Sequence, residues 1–381
     1  MARLSDLATV ITKGTTPTSL GFAFQNEGIN FVKIESVDDN GNFIFEKFDH
    51  ISDGCHEKLK RSQLQENDIL FSIAGAIGRT AIVTKDILPA NTNQALAIIR
   101  IPEGVINYSF LLYILQSSAV IEQTEKKKQG VAQLNLSLKD IGDFIIPDIP
   151  LEQQKIIVET LDKVNNVISL RRQQLSKLDE LVKSRFIELF DGKGYPEDTL
   201  LNLCNIIDYR GKTPEKVEDG LPFITAKNVK MHQMNLEPRE YISKETYDKV
   251  MVRGFPKEGD VVFTTEAPLG NVCRIPHFDT EFYIGQRIVT MQTEKLEPIY
   301  LEYALSSDDF KTKYMEKSSG STVTGIRVRL LEQLTIPVPP RDIQTQFSAF
   351  VEQTDKSKLA IQKSLEKLET LKKALMQKNF G

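Results

Sequence analysis

Long apolar runs are missing from this chain of 381 residues. None approaches the roughly 18 residues that a membrane helix needs, and Met1-Ala2-Arg3-Leu4-Ser5-Asp6 lacks the basic-then-apolar layout of a secretory signal, so a cytoplasmic location is expected. Cysteine is scarce. Cys55, Cys204 and Cys273 are odd in number, widely spaced and never in a Cys-x-x-Cys pair, which argues against a disulfide framework or a thiolate zinc site and leaves three reduced structural thiols. The four histidines, His50, His56, His232 and His277, do not fall at metal-ligand spacings, so no metal is expected. Catalytic signatures are absent too. No Asn/Asp-Pro-Pro-aromatic string, Gly-x-Ser-x-Gly or His-Glu-x-x-His occurs, and Gly211-Lys212-Thr213 ends like a phosphate-binding loop but has Ile206 where its first glycine should stand, so it reads as a turn. Glu125-Lys126-Lys127 would suggest a nuclease only with an upstream acidic partner, and charged residues this frequent produce such a match by chance. The sequence reads as a non-catalytic binding protein with no cofactor of its own.

What is present is a repeat. Glu66-Asn67-Asp68-Ile69-Leu70-Phe71-Ser72 returns as Glu258-Gly259-Asp260-Val261-Val262-Phe263-Thr264, each followed by a glycine, Gly78 and Gly270. Gly14-Thr15-Thr16-Pro17 answers Gly211-Lys212-Thr213-Pro214, Gln94 answers Gln286, and Ile146-Pro147 with Pro150 answers Ile336-Pro337 with Pro340. A period of about 190 residues is too long for a solenoid, so each copy is a domain with an appendage. A hydrophobic content of 40% is enough to give each copy a core.

The appendages are helical. After Pro150, glycine and proline vanish until Gly192, and Leu161, Val164, Ile168, Leu175, Leu178, Val182 and Leu189 recur at coiled-coil spacing. After Pro340 the stripe is Phe347, Val351, Thr354, Ile361, Leu365, Leu368 and Leu375. The proline strings punctuate the two helix starts, which gives helices near Leu151 to Leu189 and Arg341 to Lys378. Neither helix can bury its seam alone. Pairing the two seams gives an antiparallel coiled coil with a globular lobe at each end and an internal pseudo-two-fold axis; packing each helix on its own lobe is the alternative. At about 1.5 Å per residue, 39 residues make a spacer about 58 Å long.

The expected fold class is α+β, or mixed α/β: a globular domain at 1–147, a long spacer helix at 148–192, a second, similar globular domain at 193–337 and a second long spacer helix at 338–381. Short β-type runs at 31–34, 69–73, 96–100 and 261–263 are bounded by Gly, Asn, Asp and Pro clusters, and a helical stretch runs from Tyr108 to about Lys126, matched by Pro298 to about Met315.

Leu4 with Leu7, the Gly-x-Thr-Pro turns, Asn67-Asp68-Ile69-Leu70-Phe71 and Gly259-Asp260-Val261-Val262-Phe263, Gln94 and Gln286, Leu201 with Leu203, and the Ile-Pro closures with Gln153-Gln154 and Gln344 recur in one order twice. In this the whole chain resembles the specificity subunit of type I restriction-modification systems. One departure is Ile343, which stands where the first copy has Gln153 and so predicts a weaker second helix start. The resemblance implies that each lobe is a target recognition domain reading one half of a bipartite, asymmetric sequence in double-stranded DNA. The helices would fix the unread gap and hold two modification subunits, which methylate adenine at N6, and through them two ATP-driven restriction subunits. S-adenosylmethionine, ATP and magnesium would belong to those partners.

Base readers on such lobes should be long polar side chains on loops. Lys13, Thr15, Lys33, Arg79, Gln129, Gln133 and Asn135 are the candidates in the first copy, and Arg210, Lys212, Lys227, Asn228, Arg274, Ser319, Thr322 and Arg327 in the second. Lys126-Lys127-Lys128, Arg327 with Arg329, and Lys58, Lys60 and Arg61 form local basic patches, which are as consistent with a solvated face. For Gln94 and Gln286 a buried hydrogen-bonding role is favoured over base contact. Charge complicates the picture: residues 1–150 carry 14 Lys and Arg against 18 Asp and Glu, and residues 197–340 carry 18 against 22. DNA-binding domains are usually basic, so partner subunits would have to supply part of a basic clamp. Two other readings stay open: a coiled-coil scaffold that binds protein, which acidic lobes favour, and the targeting subunit of a related system whose partner fuses methylation with cleavage.

Overall fold

The structure is a computed structural model that describes residues 1–38, 40–127, 135–209, 214–320 and 324–381. The chain divides into two compact units, Met1–Arg172 with Lys363–Gly381, and Gln173–Gln362. The first unit contains β1 (Ala2–Arg3), α1 (Leu4–Leu7), β2 (Val10–Lys13), β3 (Ile29–Val32), β4 (Asp49–Ile51), α2 (Asp53–Lys58), β5 (Ile69–Ser72), β6 (Thr80–Ile82), β7 (Ala90–Thr92), β8 (Leu96–Arg100), α3 (Tyr108–Leu115), α4 (Ser118–Lys127), α5 (Leu138–Gly142) and β9 (Ile145–Ile146). Helix α6 (Leu151–Phe190) follows. The second unit contains β10 (Glu197–Thr199), α7 (Leu200–Leu203), β11 (Asn205–Asp208), β12 (Leu221–Ile224), β13 (Val229–Lys230), β14 (Gln233–Met234), β15 (Tyr241–Ile242), α8 (Lys244–Val250), β16 (Val261–Thr264), β17 (Val272–Arg274), β18 (Tyr283–Ile284), β19 (Ile288–Gln292), α9 (Pro298–Ser306), α10 (Asp308–Lys317), α11 (Val328–Leu331) and β20 (Thr335–Pro337). Helix α12 (Arg341–Phe380) closes the chain.

The repeat in the sequence is a repeat of topology. A sheet of order β2-β8-β5-β6 in the first unit has its counterpart in β11-β19-β16-β17, β4-β3-β7 in β15-β12-β18, and β1-β9 in β10-β20. The repeated motif before the central strand is explained by this. Asn67 and Gly259 both sit at positive φ, 68° and 85°, a region that glycine and asparagine enter at least cost. Asp68 then accepts from Gln65 N at 2.7 Å and Asp260 from Lys257 N at 2.9 Å, closing the turn. Each aspartate also grips the end of the neighbouring strand: Arg100 donates twice to Asp68, and Gln292 donates Nε2 to Asp260 at 2.7 Å. Glycines 78 and 270, at φ 91° and 92°, turn the chain back after that strand.

Both helical stretches expected late in each copy are interrupted. Ser117 Oγ accepts from Val120 N, and Ser307 Oγ from Phe310 N at 3.2 Å, so each serine caps a new helix, α4 or α10, and ends the one before.

Each long helix runs for 40 residues, about 60 Å at 1.5 Å per residue. Within the first unit, Val158 and Leu161 of α6 join one core cluster with Phe380, while Arg172 bonds Glu369 at 2.8 Å, so the two helix segments run antiparallel. Within the second unit the pattern repeats, with Phe190 against Phe347 at 5.4 Å and Lys358 against Asp179 at 2.5 Å. Of the seam, Leu161, Val164, Ile168, Val182, Phe347, Val351 and Thr354 are buried. Leu175, Leu178, Leu189, Ile361, Leu365, Leu368 and Leu375 are half-buried. The expected weakness at Ile343 is corrected: Gln153 is exposed, and the next residue does the work in both copies. Buried Gln154 accepts from Asn107 N at 2.8 Å and donates to Ile149 O at 2.7 Å; buried Gln344 accepts from Glu297 N at 2.9 Å and donates to Pro339 O at 2.8 Å.

Candidate nucleic-acid interface

Three loops meet at one end of the four-stranded sheet in each unit, held by main-chain hydrogen bonds. In the first unit Ile73 N donates to Ala95 O at 2.9 Å and Leu136 N to Ile73 O at 3.0 Å. In the second, Thr265 N donates to Arg287 O at 2.8 Å and Ile326 N to Thr265 O at 3.0 Å. Bridges Ala74↔Asn135 and Glu266↔Gly325 complete the equivalence.

The Gly-x-Thr-Pro turn joins this end of the first unit. A Cβ on Gly14 would lie 1.8 Å from Thr92 O, so only glycine allows the turn to press on β7; Thr15 N donates to the same carbonyl at 3.2 Å. The Thr16 hydroxyl bonds the Gln94 side chain. Gln94 is exposed and Gln286 only partly buried, which overturns the buried role expected of the pair: both stand at the rim where the loops meet. In the second unit, Thr265, Glu266, Gln286, Arg287, Ser319 and Arg327 line a cavity of about 360 Å³.

The structure thus places Thr15 on the turn that packs on Thr92 and Asn135 at the bridge to Ala74, with Lys13 exposed at the end of β2, and brings Ser319 and Arg327 together in the other unit. Lys126 and Arg329 are exposed on α4 and α11, Lys227 on the turn after β12, and Lys58, Lys60 and Arg61 are exposed at and beyond the end of α2. Four candidates are engaged by the fold. Lys33 pairs with Asp49 at 2.7 Å and Glu35 at 3.1 Å, and the Asp49 hydrogen bond raises its pKa against the opposing effect of burial. Arg79 donates to Ile34 O and to Val37 O, at 3.3 and 2.9 Å. Arg274 bonds buried Glu302 at 2.6 Å and reaches Asp355 at 3.5 Å; burial lowers its pKa, and the two carboxylates outweigh that. Asn228 is 1% exposed, with its amide committed to Thr225, Asn235 and Pro238, so burial removes it from the candidates. Lys128, Gln129, Gln133, Arg210, Lys212 and Thr322, and the turn at 211–213, lie outside the described residues, as does the side chain of Lys127.

Arg287 and Glu266 are the functional candidates that sequence reasoning missed. They form an ion pair at 3.2 Å, and Arg287 holds φ 74°, a conformation rare for a side chain of its size. Its position directly after the repeated Gln286 was the available signal. The three cysteines are buried and unpaired, and burial pushes the thiols of Cys204 and Cys273 up to about 12. Among the described residues no group of three or more His, Cys, Asp or Glu could hold a metal, and no helix is long and apolar enough to cross a membrane.

A duplicated scaffold presenting two unlike sets of loop side chains defines a two-site recognition protein. The chain belongs to the type I restriction modification DNA specificity domain family, whose model matches residues 1–180 and 197–373. It is 25% identical over 406 aligned positions to the putative type I restriction enzyme MjaX specificity subunit of Methanocaldococcus jannaschii, covering 98% of this chain and 90% of that one. To the type I restriction enzyme EcoBI specificity subunit of Escherichia coli it is 31% identical over 173 residues, 44% of this chain and 36% of that one. Its fold is shared with a chain from a structure titled for complex assembly and conformational transition of the type I R-M system (TM-score 0.62, 20% identity, 100% of this chain and 96% of that one). It is shared also with the type I restriction-modification S subunit from M. genitalium (TM-score 0.57, 14% identity, 100% and 95%). The function of the chain is DNA sequence specificity in a type I restriction-modification system.

Proposed function

We propose that the two globular regions, 1–147 and 193–337, each read one half of a bipartite, asymmetric DNA target, and that the chain itself turns over nothing. The observation that carries this reading is the pair of equivalent three-loop sites, matched in two main-chain hydrogen bonds and a bridge and different in side chains. The helices, 148–192 and 338–381, set the unread gap between the halves and dock two modification subunits, which in turn hold two restriction subunits in the cytoplasm. Val167, Leu170 and Leu181 on α6 and Leu359 and Leu371 on α12 are apolar and exposed, which supports a protein partner on these helices. S-adenosylmethionine, ATP and magnesium serve the partners' chemistry. The chain's own contribution is to position them over a sequence.

The test is co-expression with the neighbouring modification subunit and single-molecule sequencing of methylated adenines across the host DNA. The expected result is one new motif of two short specified halves around a fixed gap. A stably assembled complex with a demonstrably active modification subunit and no new methylation would sink the proposal in favour of a protein scaffold.

A further inference from the structure

Resting on the proposed reading of half-sites, we infer that Arg287 reads a guanine in the half-target of the second unit, with Glu266 aiming its guanidinium and Arg327 beside it in the same cavity. The matched main-chain bonds fix which residues are equivalent. Thr265 N to Arg287 O corresponds to Ile73 N to Ala95 O, and Ile326 N to Thr265 O corresponds to Leu136 N to Ile73 O. Glu266, Arg287 and Arg327 therefore occupy the places of Ala74, Ala95 and Ser137. At three equivalent loop positions one unit is charged and the other carries two methyl groups and a hydroxyl. Only the second can grip a base edge by charge-assisted hydrogen bonds there.

The geometry suits guanine. Glu266 Oε1 meets Arg287 at Nε, 3.2 Å away, which leaves the two terminal nitrogens of the fork for another partner. A guanidinium edge bonds bidentately to O6 and N7 of guanine in the major groove, whereas adenine offers N7 beside an N6 donor that repels it. The side chains of Arg287 and Glu266 are about half exposed, at 51% and 41%, so this edge is open to a duplex. Loop closure does not require the pair, since Thr265 N to Arg287 O and Ile326 N to Thr265 O join the loops through main-chain atoms. The φ of 74° at residue 287 would suit glycine better, yet an arginine with half its side chain exposed stands there.

The test uses the full chain assembled with its modification subunit, comparing wild type with Arg287→Ala, Arg287→Lys and Glu266→Gln by genome-wide adenine-methylation mapping. Alanine adds no backbone strain that arginine lacks, and the unaltered first half of the motif reports in each variant that the complex is folded and active. The expected wild-type motif has a guanine in one half. Arg287→Ala should relax that one position, with discrimination falling tenfold to a hundredfold as an order of magnitude, while the other half stays sharp. Arg287→Lys should retain partial preference, and Glu266→Gln should blur the same position less. A motif whose specified halves lack a guanine at any position affected by Arg287→Ala would overturn the inference and leave the bipartite reading standing. So would a uniform drop in methylation with no change in base preference, the mark of a phosphate contact. Absence of any bipartite motif in wild type would sink both.

Discussion

At the residue scale, the aspartates of the repeated motif show how one position can be kept for opposite electrostatic reasons. Asp68 meets a bidentate arginine, whereas Asp260 meets only a glutamine and a backbone amide, and burial raises its pKa. A carboxyl whose pKa is higher folded than unfolded adds stability below the unfolded value and loses it as pH rises through the folded value. Asp260→Asn removes that titration and keeps an acceptor for Lys257 N. The difference in unfolding free energy between variant and wild type should therefore move in the variant's favour from pH 3 to pH 6, as read by urea denaturation at each pH. No pH dependence in that difference would show the burial to be compensated. What the sequence shows at this scale is uneven. Asn67 against Gly259 was legible as a turn, because few residues tolerate positive φ. Arg287 was not, because its role depends on contacts with residues 265, 266 and 326, and no local pattern encodes them.

At the element scale, the long helices were legible to within two residues, since proline strings mark their starts and a 40-residue stripe leaves little choice. The breaks at Ser117 and Ser307 were not, because a serine is a helix residue or a cap according to whether its hydroxyl finds an amide. How the helices are tied to their domains was also hidden. Gln344→Ala should leave the part-buried amide of Glu297 and the buried carbonyl of Pro339 unpartnered and destabilise the protein by about 3 kcal/mol. Gln153→Ala, at an exposed site, should stay within about 0.5 kcal/mol of wild type. Equal melting temperatures for the two variants would show that the buried amide contributes nothing.

At the scale of the whole molecule, charge sets the terms of DNA binding. The chain carries a net charge of −4, with acid outnumbering base in both globular regions, and this is a poor match for a polyanion. Phosphate contacts release counterions, so affinity falls with salt in proportion to their number. The isolated chain should therefore bind duplex DNA weakly and with a shallow dependence on salt, and the complex with modification subunits should bind more tightly with a steeper one, measured by fluorescence anisotropy between about 50 and 200 mM salt. A chain that alone matches the complex in both affinity and slope would show that it carries the whole basic clamp. The duplication and its two-site purpose were visible from the repeated motifs, but the equivalent loop positions were not, since topology had to place residues 73, 95 and 136 side by side before the counterparts could be named.

The loops at these sites are closed by backbone atoms bonding backbone atoms, and a backbone atom is the same in every amino acid. Ser137 keeps a duty to the fold as the cap of α5, but the side chains at 74 and 95, and at 266, 287 and 327, are not needed to join the loops. Such positions can change by single substitutions without passing through an unfolded intermediate, so a lineage can acquire a new address on the genome as fast as point mutation supplies one.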